Sequence, residues 1–554
     1  MKYKVNNRDV TITKANFISS GGEGSVYAKD NVAYKIYTDP AKMMPQGKIH
    51  ELSVITDDNI IRPKDIVYNN KTPVGYSMRF VKNTYALCQL FTKAFREREG
   101  LDHDGVQNLV KDLHKLVKHV HSKDILIVDL NEMNFLVNKD MTEIYAIDTD
   151  SYQTKHYPAT AIMESIRDRH SKRFSKDTDW FSYAIITFQL FIGIHPYKGK
   201  HPSIKTMDAR MLGNVSIFNK DVSIPKVCYS IDVIPQVYKD WFRAVFDDGK
   251  RLPPPESFSN AVHVIEAVIK KITGSNNFDI REEREFDGNI LSLIFRGGKR
   301  AVLTNKSFYL GYKGFKTSGA KIVFTQSDIP ILAKITDERL KLFNTELQKE
   351  IPNQIGGSDL MTYNGSLYVK NEESLLEVDF TEIKNNIFPS GKVVANVLEN
   401  ASRLYDGVLV QNILGDYFFS MFPEHGVHRQ VAIKELAKYK VLDAKFDSNV
   451  LMVVVAQSGV YDRFVFRFSP SWDSYDVRQV ENITPAGLNF VVLDSGICIS
   501  ITEDENVELF SSKKDSHNIK EIDDPVITSN MKLFKSAGLV YLTQHNKLYS
   551  IKMI

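Results

Sequence analysis

With 554 residues the chain exceeds what one hydrophobic core organises, so two or more domains are expected. At 43% hydrophobic and 25% charged residues the composition is that of a folded globular protein, and a formal net charge of +3 argues against nucleic acid or another dominant polyanionic partner. The three cysteines, Cys88, Cys228 and Cys498, form neither a metal-ligand spacing nor a disulfide framework; with no apolar signal core at Met1 and no run of membrane-spanning length, the expectation is a cytoplasmic protein with no membrane partner.

Residues 11 to 37 read as three strands. The first turn between them is Ser19-Ser-Gly21-Gly22-Glu-Gly24-Ser-Val26-Tyr27. Its glycines let a backbone approach phosphate oxygens and Val26 could cover a nucleotide base, although a plain hairpin uses the same residues. In Val32-Ala-Tyr-Lys35-Ile-Tyr37 a lysine interrupts an apolar strand, and a lysine pointing inward needs an anion. Two are available, a bound phosphate and Glu51 in the helical segment 48–55; taken alone, Glu51 reads as a solvated helix position. Strand-like runs at 60–68 and 74–81, joined by a polar turn, complete a small lobe of five strands and one helix over residues 1–81.

From about residue 104 the pattern is helical, with Val106, Leu109, Val110, Leu113, Leu116 and Val117 at three- and four-residue spacing. Two apolar strands follow around Asp129-Leu-Asn131-Glu-Met-Asn134-Phe-Leu-Val137 and Ile144-Tyr-Ala-Ile147-Asp148-Thr149-Asp150. An Asp five residues before an Asn, then another Asp closing the second strand, is suited to holding metal-bound phosphates. The run 179–193 is apolar almost all round, as a helix buried in a lobe centre would be, and Gly193 stops it. Helices are expected at 235–246 and 256–273. The basic segment from Arg167 to Lys176 reads either as a solvated charge run or as a surface for acidic or phosphorylated peptides.

The order of these elements resembles the protein-kinase fold over residues 10 to 272, with a small lobe (1–81) and a large lobe (82–275). Gly21 and Gly24 match the second and third glycines of the nucleotide-covering loop, Ser19 replaces the first, and Gly22 and Val26 belong to the same loop. Lys35 matches the lysine that pairs with phosphates and Glu51 is the best candidate for its helix partner. Met78 falls at the gatekeeper position, with Arg79, Phe80 and Val81 as the hinge. Asp129 matches the catalytic Asp, Asn134 and Asp148 the metal ligands, and Asp179 and Arg251 two structural positions of the large lobe. The departures are Ile127 and Val128 in place of His and Arg, Asn131 in place of Lys, Asp148-Thr-Asp150 in place of Asp-Phe-Gly, and no Ala-Pro-Glu, which leaves Glu164 and Asp168 to compete for Arg251. The Asp-Thr-Asp-Ser wording resembles a divergent group of bacterial and phage kinase-like proteins. The resemblance implies ATP and Mg²⁺ as cofactors, Lys35 on the α and β phosphates, Asn134 and Asp148 on Mg²⁺, and Asp129 orienting a hydroxyl.

Beyond residue 274 the periodicity becomes β. Turns at Gly365, Gly407, Asn449, Gly496 and Gly538 recur at separations of 42, 42, 47 and 42, each followed by an apolar run. Such repeats are what blades of a β-propeller look like, and the strand-rich stretch 278–345 adds one or two, for six or seven blades over 276–554. A sandwich or two small β domains is the alternative. The repeat carries no acid, base or metal cluster and reads as a binding platform; what it binds is not written in the repeat, and the expected partner is a protein substrate or scaffold. Three functions follow: a protein kinase acting on Ser or Thr, a kinase-shaped adaptor (pseudokinase) whose propeller does the work, and transfer to a small molecule.

Overall fold

The computed structural model describes residues 1–159, 162–256, 258, 275, 277–296, 298–384, 386–536 and 538–554. The helix expected at 256–273 falls almost wholly outside the described residues. The chain forms two compact units: Met1–Val268 with Ala456–Tyr461 and Asn482–Gly487, and the remaining residues from Ile269 to Ile554.

The first unit begins with a seven-stranded sheet built from β1 (Lys2–Val5), β2 (Arg8–Thr11), β3 (Phe17–Ser20), β4 (Gly24–Lys29), β5 (Val32–Tyr37), β6 (Ile66–Asn69) and β7 (Thr72–Arg79), in the order β2-β1-β6-β7-β5-β4-β3. The two N-terminal strands add to the expected five, and the run expected from residue 60 is a strand only from Ile66. Helix α1 (Gln46–Leu52) buries Lys48, Ile49 and Leu52. Strand β8 (Thr84–Ala86) pairs with β9 (Phe135–Asn138), which pairs with β10 (Ile144–Ala146). Between β8 and β9 run α2 (Lys93–Glu99) and α3 (His103–His121), the latter capped by Asp102, whose carboxylate accepts the Gly105 N–H.

Helix α4 (Lys176–Ile192) is buried from Thr178 to Ile192. Aromatic side chains pack on it edge to face: Trp180 on His114 at 5.4 Å between ring centroids and Phe188 on Phe242 at 5.2 Å. It ends at Gly193 with φ +89°, where a Cβ would also lie 2.8 Å from the Phe91 carbonyl oxygen, so glycine is required twice over. Helices α5 (Met207–Leu212) and α6 (Gln236–Phe246) complete the described helices of this unit.

The second unit is a series of four-stranded antiparallel sheets, seven in all among the described residues. Six are consecutive in the chain, within 290–316, 321–351, 359–396, 402–433, 440–480 and 490–522. The seventh takes three strands from 531–553 and its fourth from Phe278–Glu285, which pairs with Lys547–Met553 and so closes the series with its own first strand. This is a propeller-like, all-β arrangement at the upper of the two expected counts. The recurrent turn lies between the first and second strand of five sheets; glycine makes it at four, with φ of 79° at Gly365, 76° at Gly407, 79° at Gly496 and 73° at Gly538, and at the fifth Ser448 before Asn449 takes the left-handed conformation, φ 60°. Apolar side chains alternate inward, and one cluster from neighbouring sheets includes Val408, Phe419, Phe446, Leu451, Val453 and Phe466.

Candidate functional site

The site is built on Lys35. In the antiparallel ladders Lys35 lies opposite Val26 on β4 and Tyr76 on β7, and directly paired residues share a face of the sheet. Tyr37, two residues on, shares it as well. This face therefore presents one ammonium and two phenols. Lys35 is only 7% exposed, and its Nζ donates to Asp150 at 2.7 Å, to Asp148 at 2.8 Å and to Glu23 of the glycine turn at 3.2 Å. Burial alone would lower its pKa, but the charges of Asp150 and Asp148 more than reverse that and keep it protonated.

Asp150 is buried and fully engaged. Its Oδ2 accepts from Lys35 and from the Tyr37 hydroxyl at 2.6 Å, its Oδ1 from the Tyr76 hydroxyl at 2.7 Å, and its backbone carbonyl from Lys48 Nζ at 2.6 Å. Burial pushes this carboxyl up, but Lys35 and the two phenols pull it below the usual carboxylate range. Asp148 keeps 39% of its side chain exposed; burial and the neighbouring Asp150 charge hold it above that range.

The turn carrying both aspartates is placed by backbone bonds. Ala146 N–H donates to Asn59 at 2.8 Å and Ile61 N–H to Ala146 at 2.8 Å, while the Ile147 N–H donates to the Asn134 carbonyl at 2.9 Å. Asp148 then takes φ 59°, a left-handed conformation that Asp tolerates better than most residues.

Asp129 sits on a loop held from below. The Ile127 and Val128 N–H groups donate to the two carboxylate oxygens of Asp179 at 2.8 and 2.9 Å, and His121 Nε2 lies 2.9 Å from the same side chain. Val128 has φ 63°, a strained conformation for a β-branched residue, and the Asp179 carboxylate secures it. Asp129 Oδ1 accepts from the Met163 N–H at 2.7 Å, and Asn134 Nδ2 donates to Asp129 Oδ2 at 3.2 Å and to its backbone carbonyl at 2.9 Å. Its amide nitrogen donates to Asp129, so the side-chain oxygen is the Asn134 atom that could serve a cation. Asn131 is buried and its side-chain oxygen accepts the Met133 N–H at 2.8 Å, which braces its own loop.

Lys35 is thus bonded to Asp148 and Asn134 to Asp129, and the backbone bond from the Ile147 N–H to the Asn134 carbonyl ties the two pairs together. Val26 lies beside Lys35. Met78, Phe80 and Val81 are half-buried at the end of β7 and just beyond it, where the Phe80 N–H donates to Asn31 at 3.1 Å. In the turn, a Cβ on Gly24 would meet the Ile36 carbonyl oxygen at 2.3 Å, so glycine there serves strand approach; at Gly21 and Gly22 a Cβ would meet nothing within 4 Å.

One expectation is corrected. Glu51 is not the partner of Lys35: its carboxylate accepts the His156 N–H at 3.3 Å and pairs with the His156 ring, and Thr154 and His156 together hold its pKa down to about 2. The inward position of α1 is instead Lys48. For Arg251 the alternatives resolve to Asp168, bound through two bonds of 2.6 Å, while Glu164 pairs with Arg167 and Arg169, each at 3.2 Å. The sequence reading missed Asp150, Lys48, Tyr37 and Tyr76 as members of the site. The second acidic residue of Asp148-Thr-Asp150 was the available signal, since a buried carboxylate implies a cation.

Among the described residues no group of three or more His, Cys, Asp or Glu side chains could hold a metal ion, and no helix is long and apolar enough to cross a membrane. Mg²⁺ with a nucleotide needs no such cage, because one carboxylate, one amide oxygen and phosphate oxygens suffice. The hard-oxygen pair Asp148 and Asn134 fits that requirement. The chain matches no protein-family model, and no curated protein matches it.

Proposed function

We propose that the first unit is an ATP- and Mg²⁺-dependent protein kinase that transfers the γ-phosphate to Ser or Thr hydroxyls, and that the second unit recruits a protein substrate or scaffold. The observation that carries this reading is that Lys35 is bonded to Asp148 and Asn134 to Asp129, four residues that phosphoryl transfer needs, with the Ile147 N–H to Asn134 carbonyl bond tying the two pairs together. Phosphoryl transfer depends on positioning and charge neutralisation more than on covalent help. Lys35 would hold the α and β phosphates, and the open turn at Gly21 and Gly22 leaves room for their oxygens. Mg²⁺, held by Asp148 and Asn134, would neutralise charge on the β and γ phosphates. Asp129 would orient the incoming hydroxyl and accept its proton; its Oδ1 is already fixed by Met163.

The test is incubation of the full chain with labelled ATP and Mg²⁺, alone and with a lysate. Label should enter protein at Ser or Thr, and Asp129→Asn should abolish it. A second reading, a nucleotide-binding adaptor without turnover, is favoured by Asn131, which braces its own loop instead of offering a cation to the transferring phosphate. Tight Mg²⁺-nucleotide binding without any incorporation would select it.

A further inference from the structure

Lys35 can contact a nucleotide usefully only if something else holds its ammonium in place, because a four-carbon side chain has many rotamers and loses its alignment when free. The residue expected to do this, Glu51, faces away toward His156. We propose that Asp150 is the positioning residue for Lys35, and that the anchor of the phosphate-binding lysine has moved from the helix to the turn after the metal-binding Asp148. This rests on the proposed nucleotide site, and deepens it by naming the group that makes Lys35 competent.

Three observations carry it. First, the Asp150 carboxylate is buried at 6% exposure and accepts from three side chains on one face of the sheet: Lys35 at 2.7 Å, Tyr37 at 2.6 Å and Tyr76 at 2.7 Å. Two phenols fix the oxygens against rotation, so the carboxylate is a rigid acceptor. Second, the charges are exchanged. Where the helix would supply an anion it supplies Lys48, only 2% exposed, and that ammonium donates to the Asp150 backbone carbonyl at 2.6 Å. A glutamate at that inward position would add a fourth carboxylate to Glu23, Asp148 and Asp150; a lysine instead sets a second cation beside Lys35 against those three anions. Third, the division of labour differs between neighbours. Asp148, at 39% side-chain exposure, keeps surface for a cation, whereas Asp150, at 4%, has none to spare.

The consequence concerns control. An anchor on a helix is made or broken as the helix swings. Here the anchor lies two residues from the metal ligand, so the lysine and the metal site are set together by one turn, and α1 is tied to that turn through Lys48.

The experiment is a double-mutant cycle on the full chain between Lys35→Met and Asp150→Asn, reading kcat and KM for ATP and, separately, the affinity for Mg²⁺·ADP. Asp150→Asn should lower kcat roughly 100-fold, as misplacement of an aligning group does. Added to Lys35→Met it should cause no further loss, since Asp150 acts through Lys35. Glu51→Gln should leave both constants unchanged. A merely structural role for Asp150 would instead give losses that multiply in the double variant, and that result overturns the proposal, as does a normal kcat in Asp150→Asn. If the wild type binds Mg²⁺·ADP without turnover, the kinase reading falls, and the same non-additivity in affinity upholds the Asp150 assignment. If it binds no nucleotide at all, both are overturned.

Discussion

The two units use buried charge in opposite ways. In the first, ionisable groups far apart in the chain are drawn to one point: Lys35 meets Asp148 and Asp150 across 113 and 115 residues. In the second, buried cations bond within their own sheet or to the next sheet along the chain. Arg467 faces Asp476 across one strand pair and bonds both its carboxylate oxygens, at 2.9 and 2.6 Å, and Lys370 spends its ammonium on the backbone carbonyls of Glu399 and Ser402. Convergence over long separations is expensive in loop-closure entropy and has no local pattern to enforce it, so it marks chemistry. Bonds between neighbours serve only the sheets.

That contrast can be broken experimentally. The largest effect is expected from Asp148→Ala, which should reduce Mg²⁺-dependent phosphotransfer by at least about 100-fold while the thermal transitions of both units stay near wild type, because the residue is half-exposed and packs little. Unchanged incorporation of label would sink the metal assignment. The mirror experiment is Leu451→Ala in the second unit, where the side chain is fully buried among Val453, Phe466 and Phe419. It should destabilise that unit by about 2–5 kcal/mol, measured by denaturant unfolding, with no change in catalytic rate on a peptide. A fall in specific rate at full folding would show that the sheets do more than recruit.

A smaller effect is expected from pH. His195 is buried, its Nδ1 accepts the Tyr197 N–H at 3.2 Å, and Nε2–H therefore donates to the Ser165 carbonyl at 2.9 Å. Burial lowers its pKa to about 3, against which the Ser165 bond works. Between about pH 6.5 and 3 the unfolded chain binds a proton that the folded chain does not, so stability present above about 6.5 is lost as the pH falls through that window. The slope from this group is at most about 1.4 kcal/mol per pH unit. A His195→Gln variant, compared by unfolding at pH 7 and 5, should show a flatter dependence; an identical one assigns the acid sensitivity elsewhere.

The smallest effect expected is none. Val128 stands immediately before Asp129, buried and apolar, where it cannot gather a phosphate. Arg251 is paired with Asp168, and Arg169 with Asp208 and Glu164. Treatment with a phosphatase, confirmed by mass over residues 152–176, should leave the initial rate unchanged. A large loss, restored on rephosphorylation, would assign the coupling to Arg167 or Arg169.

Much of the second unit was legible because its signal is local and repeated. A turn between two apolar strands recurs often enough to count, with glycine at four sheets and Ser448-Asn449 at a fifth, and the count stopped short of the sheet that makes that connection through Thr325-Gln-Ser-Asp328, with no glycine. The hairpin of β1 and β2 was missed because it is largely exposed, with only Tyr3 and Val5 buried, so its alternation is faint; the Asn6-Asn7 turn, φ 48° and 62°, was its one clear mark. In the site, Lys35, Asp129, Asn134 and Asp148 were readable from their order. Asp150 was not, because its role depends on which face of a sheet 115 residues upstream it meets, and helix α1 offered both Lys48 and Glu51 with nothing in the sequence to say which turns inward.

The pairing of Phe278–Glu285 with Lys547–Met553 has a consequence for the order of events during synthesis. The first strand of the series emerges from the ribosome some 260 residues before its partner, on the order of 10–50 s at ordinary elongation rates. Over that time the edge of Phe278–Glu285 is unpaired, and an unpaired strand edge invites pairing with another chain. Its alternation of charges, Arg281, Glu282, Glu283, Arg284 and Glu285, is suited to that wait, because exposed ionic side chains discourage a foreign strand until the native one arrives.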